Sequence, residues 1–130
     1  MAEDTDPAID AAVLDSLEQA IGDDRAFLRE LIETYLEDAP RQIEMMRTGL
    51  GRGDVEQSHR AAHTLKSISA TVGATALSAA ARELEAMTLA ATTAAMDLSD
   101  PEIAALVDII ATEFGRARDE LNALVPADEA

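Results

Sequence analysis

Apolar residues recur along this chain at intervals of three and four, the spacing that places them on one face of an α-helix. Ile9, Val13, Leu14, Leu17 and Ile21 form the first stripe, and Gly22 is a natural stop. Asp6 before Pro7 predicts its start, as an N-cap with proline in the first helical position. Asp23 or Asp24 caps a second helix, whose stripe runs Phe27, Leu28, Leu31, Ile32, Tyr35, Leu36, Ala39, Ile43, Met46 and Leu50. Pro40 falls inside this stripe and predicts a kink, or two helices meeting. Gly49, Gly51 and Gly53 predict a loop. Asp54 with Gln57 reads as a capping box that opens a third helix, and Gly73 ends that helix or lets it approach a neighbour closely. Thr75 caps a fourth, with Leu77, Ala80, Leu84, Met87 and Ala91 as its stripe. Ser99 and Glu102 form the capping box of a fifth, followed by Ile103, Leu106, Val107, Ile110, Phe114, Leu121 and Leu124 at helical spacing.

No segment alternates at period two and no internal repeat occurs, so the pattern predicts an all-α fold: an antiparallel four-helix bundle with an additional short N-terminal helix. Residues 1–130 read as one domain, with 1–5 and 126–130 as loose tails. Composition agrees with helix over sheet, since aromatics are only 2% and the 48% apolar content is mostly Ala, Leu, Ile and Met. Met45, Met46, Met87 and Met96 are expected to fill gaps in the bundle or at its edges. There is no cysteine, which excludes disulfides and thiolate metal sites. No apolar run approaches the roughly 20 residues of a membrane span, and no basic and apolar leader opens the chain. A reducing cytoplasm is the expected compartment.

Charge sharpens the picture. The formal net charge is −16, which disfavours nucleic acid and anionic membranes as partners. Residues 41–82 nevertheless carry six basic side chains (Arg41, Arg47, Arg52, Arg60, Lys66, Arg82) against three acidic ones, a net +3 that leaves −19 for the remainder. His63 lies inside this island. With about 100° per residue, His59, Lys66, Ser67 and Ala70 fall within about 60° of His63, whereas Ser58, Ala61, Leu65, Ile68 and Val72 cluster on the opposite side. The imidazole is therefore expected to face solvent.

Three roles suit such a histidine. It can be a plain surface residue of a helical adaptor that binds partners without chemistry. With His59 at i, i+4 it can contribute to a metal site, although Arg60 stands where the His-Glu-x-x-His motif has its glutamate and Lys66 would repel a cation. Or it can be a nucleophile toward phosphorus. A neutral imidazole has a lone pair for in-line attack, and its unperturbed pKa of about 6.5 leaves it mostly neutral near pH 7. Lys66 could then stabilise the transferred dianion, and the Ser67 hydroxyl could donate to a phosphoryl oxygen.

At these residues the chain resembles a known family. Ala-His-Thr-Leu-Lys-Ser at 62–67, followed by Gly73, is similar to the His-x-Leu-Lys-Gly signature of histidine-containing phosphotransfer (HPt) domains. The resemblance extends to Phe27–Leu50, with its Phe-Leu-x-Glu-Leu start and Ala39-Pro40, and to Leu77–Glu85, which ends in Leu-Glu. It implies a four-helix bundle in which His63 is the phospho-accepting residue, exposed in mid-helix, with Lys66 beside it. It further implies that His63 takes a phosphoryl group from a receiver-domain aspartyl phosphate and passes it to another receiver, the receiver of a hybrid histidine kinase being one candidate partner. Ser67 departs from the family's glycine, the position that gives an incoming receiver clearance. No phosphate-cradling Gly-x-x-x-x-Gly-Lys loop is present. The expectation is thus a monomeric relay component, not a complete enzyme, without a cofactor of its own and with Mg²⁺ supplied on the receiver.

Overall fold

The computed structural model describes residues 6–93 and 100–127, with 91–93 as backbone only. Five helices follow one another: α1 (Ala11–Ala20), α2 (Arg25–Arg52), α3 (Val55–Thr71), α4 (Thr75–Thr93) and α5 (Pro101–Leu124). Helices α2 to α5 each pack on the next, and α5 closes back on α2, while α1 rests on α2 and α3. This is the expected all-α, four-helix arrangement with a shorter N-terminal helix. The core is aliphatic: Leu28, Ile32, Met46, Leu65, Leu77, Leu84, Ile103, Ile110 and Leu121 are fully buried. Tyr35 lies among them, its hydroxyl 2.9 Å from Ser69 Oγ. Burial pushes the Tyr35 phenol up to about 12.

Several helix starts are where local chemistry predicts. Asp24 accepts from the Phe27 amide and Asp54 from the Gln57 amide, each at 3.0 Å. The Gln57 side chain does not complete a capping box; it donates to the Met45 carbonyl across the α2–α3 interface. Other starts move. Helix α1 begins after Asp10, not after Asp6, because the amides of Ala8 and Ile9 donate to the Glu120 carboxylate at 2.8 and 2.9 Å and hold residues 8–9 as a tether on α5. Thr75 is the first residue of α4, not its cap. Helix α5 is capped by Asp100, with Pro101 in its first turn, so the Asp-Pro signal operates here and not at Asp6-Pro7. Ser99, Met96, the Ala91 side chain and the tail segments 1–5 and 128–130 lie outside the described residues. Val125, just before the second tail, is fully buried.

Helix α2 runs unbroken through Pro40, which points to solvent. Of the methionines described, Met46 is in the core and Met87 is partly buried, whereas Met45 is exposed.

The glycines at 49 and 51 lie inside α2, and only Gly53, at φ +72°, ends it. Gly49 is buried where α3 begins. A Cβ there would overlap Ser58 Oγ and stand 3.0 Å from the Asp54 carbonyl, whereas one at Gly51 would meet nothing within 4 Å. The two alanine substitutions should therefore have opposite signs. Gly51→Ala should stabilise by up to about 1 kcal/mol through helix propensity. Gly49→Ala should destabilise by about 1–3 kcal/mol through overpacking. Urea midpoints at unchanged slope would measure both.

Gly73 does both things expected of it. It follows α3 at φ +86°, and a Cβ would come within 2.8 Å of the Asp10 carbonyl oxygen. Its own carbonyl accepts the Asp10 amide at 2.7 Å, which ties the start of α1 to the α3–α4 turn.

Candidate functional site

The middle of α3 presents His63 to solvent, its side chain 59% exposed. The cause is the one the helical wheel anticipates. Ser58, Ala61, Ala62, Leu65 and Ser69 turn into the bundle and Ser67 and Ala70 turn out. The inward face differs in detail: Ile68 is only partly buried, while Ala62 and Ser69, absent from the expected stripe, are buried.

Across the α3–α4 interface stands Glu85, whose carboxylate joins two α3 side chains. One oxygen lies 2.6 Å from His63 Nδ1 and the other 2.7 Å from Lys66 Nζ. The Lys66 hydrogen bond holds the Glu85 carboxyl below its ordinary range, against the opposing effect of burial and with a further contribution from His63. Glu85 is thus an ionised acceptor at neutral pH, and His63 Nδ1 must carry the hydrogen. The geometry selects one tautomer: Nδ1–H donates to Glu85, and the lone pair is on Nε2. That nitrogen has no hydrogen-bond partner among the described residues.

Helix–helix contacts set this register. Ser78 Oγ donates to the Lys66 carbonyl at 2.9 Å, and His59 Nδ1 lies 3.1 Å from both the Glu85 carbonyl and Thr88 Oγ1. His59 is therefore half-buried against α4, although it shares the outward face of α3 with His63 on the wheel. His59, Arg60, His63, Thr64 and Glu85 line an open depression of about 410 Å³. Arg60 and Arg82 are exposed and have no ion-pair partner among the described residues. Lys66, the expected donor to a transferred dianion, is paired with Glu85 and 26% exposed. Ser67 is exposed on the same side, one residue further along α3.

The site residues predicted from sequence are brought together, apart from Gly73, which works at the α1 junction. Glu85 is the residue that sequence reasoning left without a role. It is 22 positions from His63 on another helix, and its only signal was the Leu-Glu that ends the resemblance. Among the described residues no group of three or more His, Cys, Asp or Glu side chains is arranged to hold a metal ion. A larger hollow, of about 580 Å³, lies between the N-terminal tether, Thr75 and the end of α5 and contains none of these residues. No described helix is long and apolar enough to cross a membrane.

Comparison with known proteins agrees with this architecture. No curated protein matches the chain. Among solved structures, the chain is similar to histidine-containing phosphotransfer protein B (HptB) from Pseudomonas aeruginosa PAO1, at 23% identity and a TM-score of 0.77. The match covers 92% of this chain and 96% of that one, and it is a likeness of fold. Sequence carries the assignment further, because the model of the Hpt domain matches residues 30–125, which include the whole of the α3–α4 site. On that match the chain belongs to the Hpt domain family, the domains of histidine phosphotransfer.

Proposed function

We propose that this chain is a phosphorelay intermediate in which His63 takes a phosphoryl group from an aspartyl phosphate on a response-regulator receiver domain and passes it to a second receiver. The observation that carries this reading is the 2.6 Å contact between His63 Nδ1 and Glu85, which turns the Nε2 lone pair toward solvent. In the forward step Nε2 attacks phosphorus, an N–P bond forms and the bond from phosphorus to the aspartyl oxygen breaks. The aspartate leaves as a carboxylate. The Nδ1 hydrogen stays in place, so the phosphorylated ring carries positive charge, which Glu85 is positioned to offset. The return transfer reverses these bonds.

Such transfer is mainly positioning and charge stabilisation. Lys66 contributes by holding Glu85 ionised and in place, and Arg60, in the same depression as His63, is the unpaired cation available to the phosphoryl oxygens. The receiver supplies its aspartate, an acidic pocket and Mg²⁺. The exposed Arg60 and Arg82 complement that pocket in charge.

Incubation with a phosphorylated receiver tests the proposal. An acid-labile, base-stable label on this chain is the expected result; stable binding without label would favour the adaptor reading. Clearance at Ser67 gives a second check. Ser67→Gly should transfer at the native rate or faster, and Ser67→Tyr about tenfold or more slowly, since near-contact reactions lose heavily from small displacements. Equal rates for the two folded variants would place receiver docking elsewhere.

A further inference from the structure

We propose that His59 is a positioning residue for the phosphotransfer site, acting through the main chain of Glu85; the proposal rests on the reading of His63 as the acceptor. His59 and His63 are one turn apart on α3, and both direct Nδ1 at the same residue of α4. His63 engages the Glu85 carboxylate at 2.6 Å, and His59 engages the Glu85 carbonyl at 3.1 Å. A carbonyl oxygen only accepts, so His59 Nδ1 is the donor, and it shares its hydrogen with Thr88 Oγ1 at 3.1 Å. The Thr88 hydroxyl is free to accept, because its own hydrogen goes to the carbonyls of Leu84 and Glu85 at 2.9 and 3.0 Å.

Thr88 is fully buried, so this junction is a fixed point between the two helices. It holds α4 from slipping along α3 at the turn that carries Glu85. Ser78, which donates to the Lys66 carbonyl, pins the same interface on the N-terminal side of Glu85. A short hydrogen bond such as that from His63 to Glu85 weakens steeply with displacement. Its geometry therefore depends on these two pins, and the one formed by His59 is nearer in sequence to Glu85 and reaches it directly.

The structure makes a chemical distinction that can be tested. An asparagine side chain places an N–H near the position of His Nδ1, whereas a glutamine places it near Nε2. His59→Asn should keep the brace and His59→Gln should lose it, although both are polar and neutral at a half-buried site. Two measurements are made on each folded protein. The first is the ¹⁵N NMR signature of the His63 ring, which reports the tautomer without any transfer. The second is the rate at which phosphoramidate phosphorylates the chain, a reaction in which Nε2 attacks phosphorus, the P–N bond breaks and ammonia leaves. His59→Asn should match the wild type in both. His59→Gln should show His63 relaxing toward a mixture of tautomers and a rate lower by about tenfold, by analogy with metal-bound imidazoles that lose their outer hydrogen-bond partner. Thermal melts run in parallel identify any loss of fold, and Thr88→Val, which removes the shared hydroxyl but leaves the Glu85 carbonyl as acceptor, should stay nearer to the wild type than His59→Gln does. Equal behaviour of the asparagine and glutamine variants, whether both native or both impaired, overturns the proposal. Failure of the acceptor reading looks different: the tautomer pattern holds, and wild-type His63 takes no phosphate.

Discussion

His63→Gln should lose all phosphoryl acceptance and still unfold close to the wild-type midpoint. The side chain is 59% exposed, and substitutions at such surface positions usually change stability by no more than about 0.5 kcal/mol. Glu85 keeps its partner Lys66 at 2.7 Å, so the change leaves no buried charge unpaired. The function, by contrast, rests on a single lone pair, since glutamine has no nucleophilic ring nitrogen. A folded His63→Gln protein that still takes label, together with an unlabelled His59→Gln protein, would move the acceptor to His59.

The second large effect is at Glu85. Glu85→Ala should slow phosphoryl acceptance by about tenfold or more, because nothing then fixes the Nδ1–H tautomer of His63. Glu85→Gln should fall between alanine and the wild type: its amide oxygen still accepts from Nδ1, but it brings no charge to offset the phosphorylated ring or to hold Lys66. Stability should respond to pH in a definite direction. The Glu85 carboxyl is held below its ordinary range in the folded chain, chiefly by Lys66. Its contribution to stability is therefore complete above the ordinary glutamate value of about 4.3 and is lost as pH falls through the lowered folded value. Denaturation midpoints measured from neutral to acid pH should show an acid-side decline in the wild type that is shallower in Glu85→Gln. Parallel curves would mean that the Lys66–Glu85 pair does not bear on folding.

The contrast between His63 and Glu85 marks what could be read from the sequence. Helical periodicity places His63 outside and Leu65 inside, since both follow from 100° per residue along one element. The caps at Asp24 and Asp54 were legible for the same reason, as each depends on residues three positions away. Failures occur where a distant segment decides. Asp6-Pro7 yields to Asp10 because Glu120, more than a hundred residues on, takes the amides of Ala8 and Ile9. Gly49 looked like loop and is instead the contact that lets α3 approach α2. Ser69, which the apolar stripe left out, is buried against Tyr35. His59, on the outward face by its wheel position, bends to α4 because Glu85 and Thr88 offer it acceptors. The site's helix was thus readable, while the partner helix that orients its imidazoles was not.

The most direct measurement is the position of the label. A receiver domain charged with acetyl phosphate is mixed with this chain at neutral pH, and the product is digested and mapped by mass spectrometry under non-acidic conditions that preserve N–P bonds. Phosphate is expected on His63, bonded through Nε2, and none on His59. Phosphate on His59, on Ser67 or on no residue of the chain would contradict it.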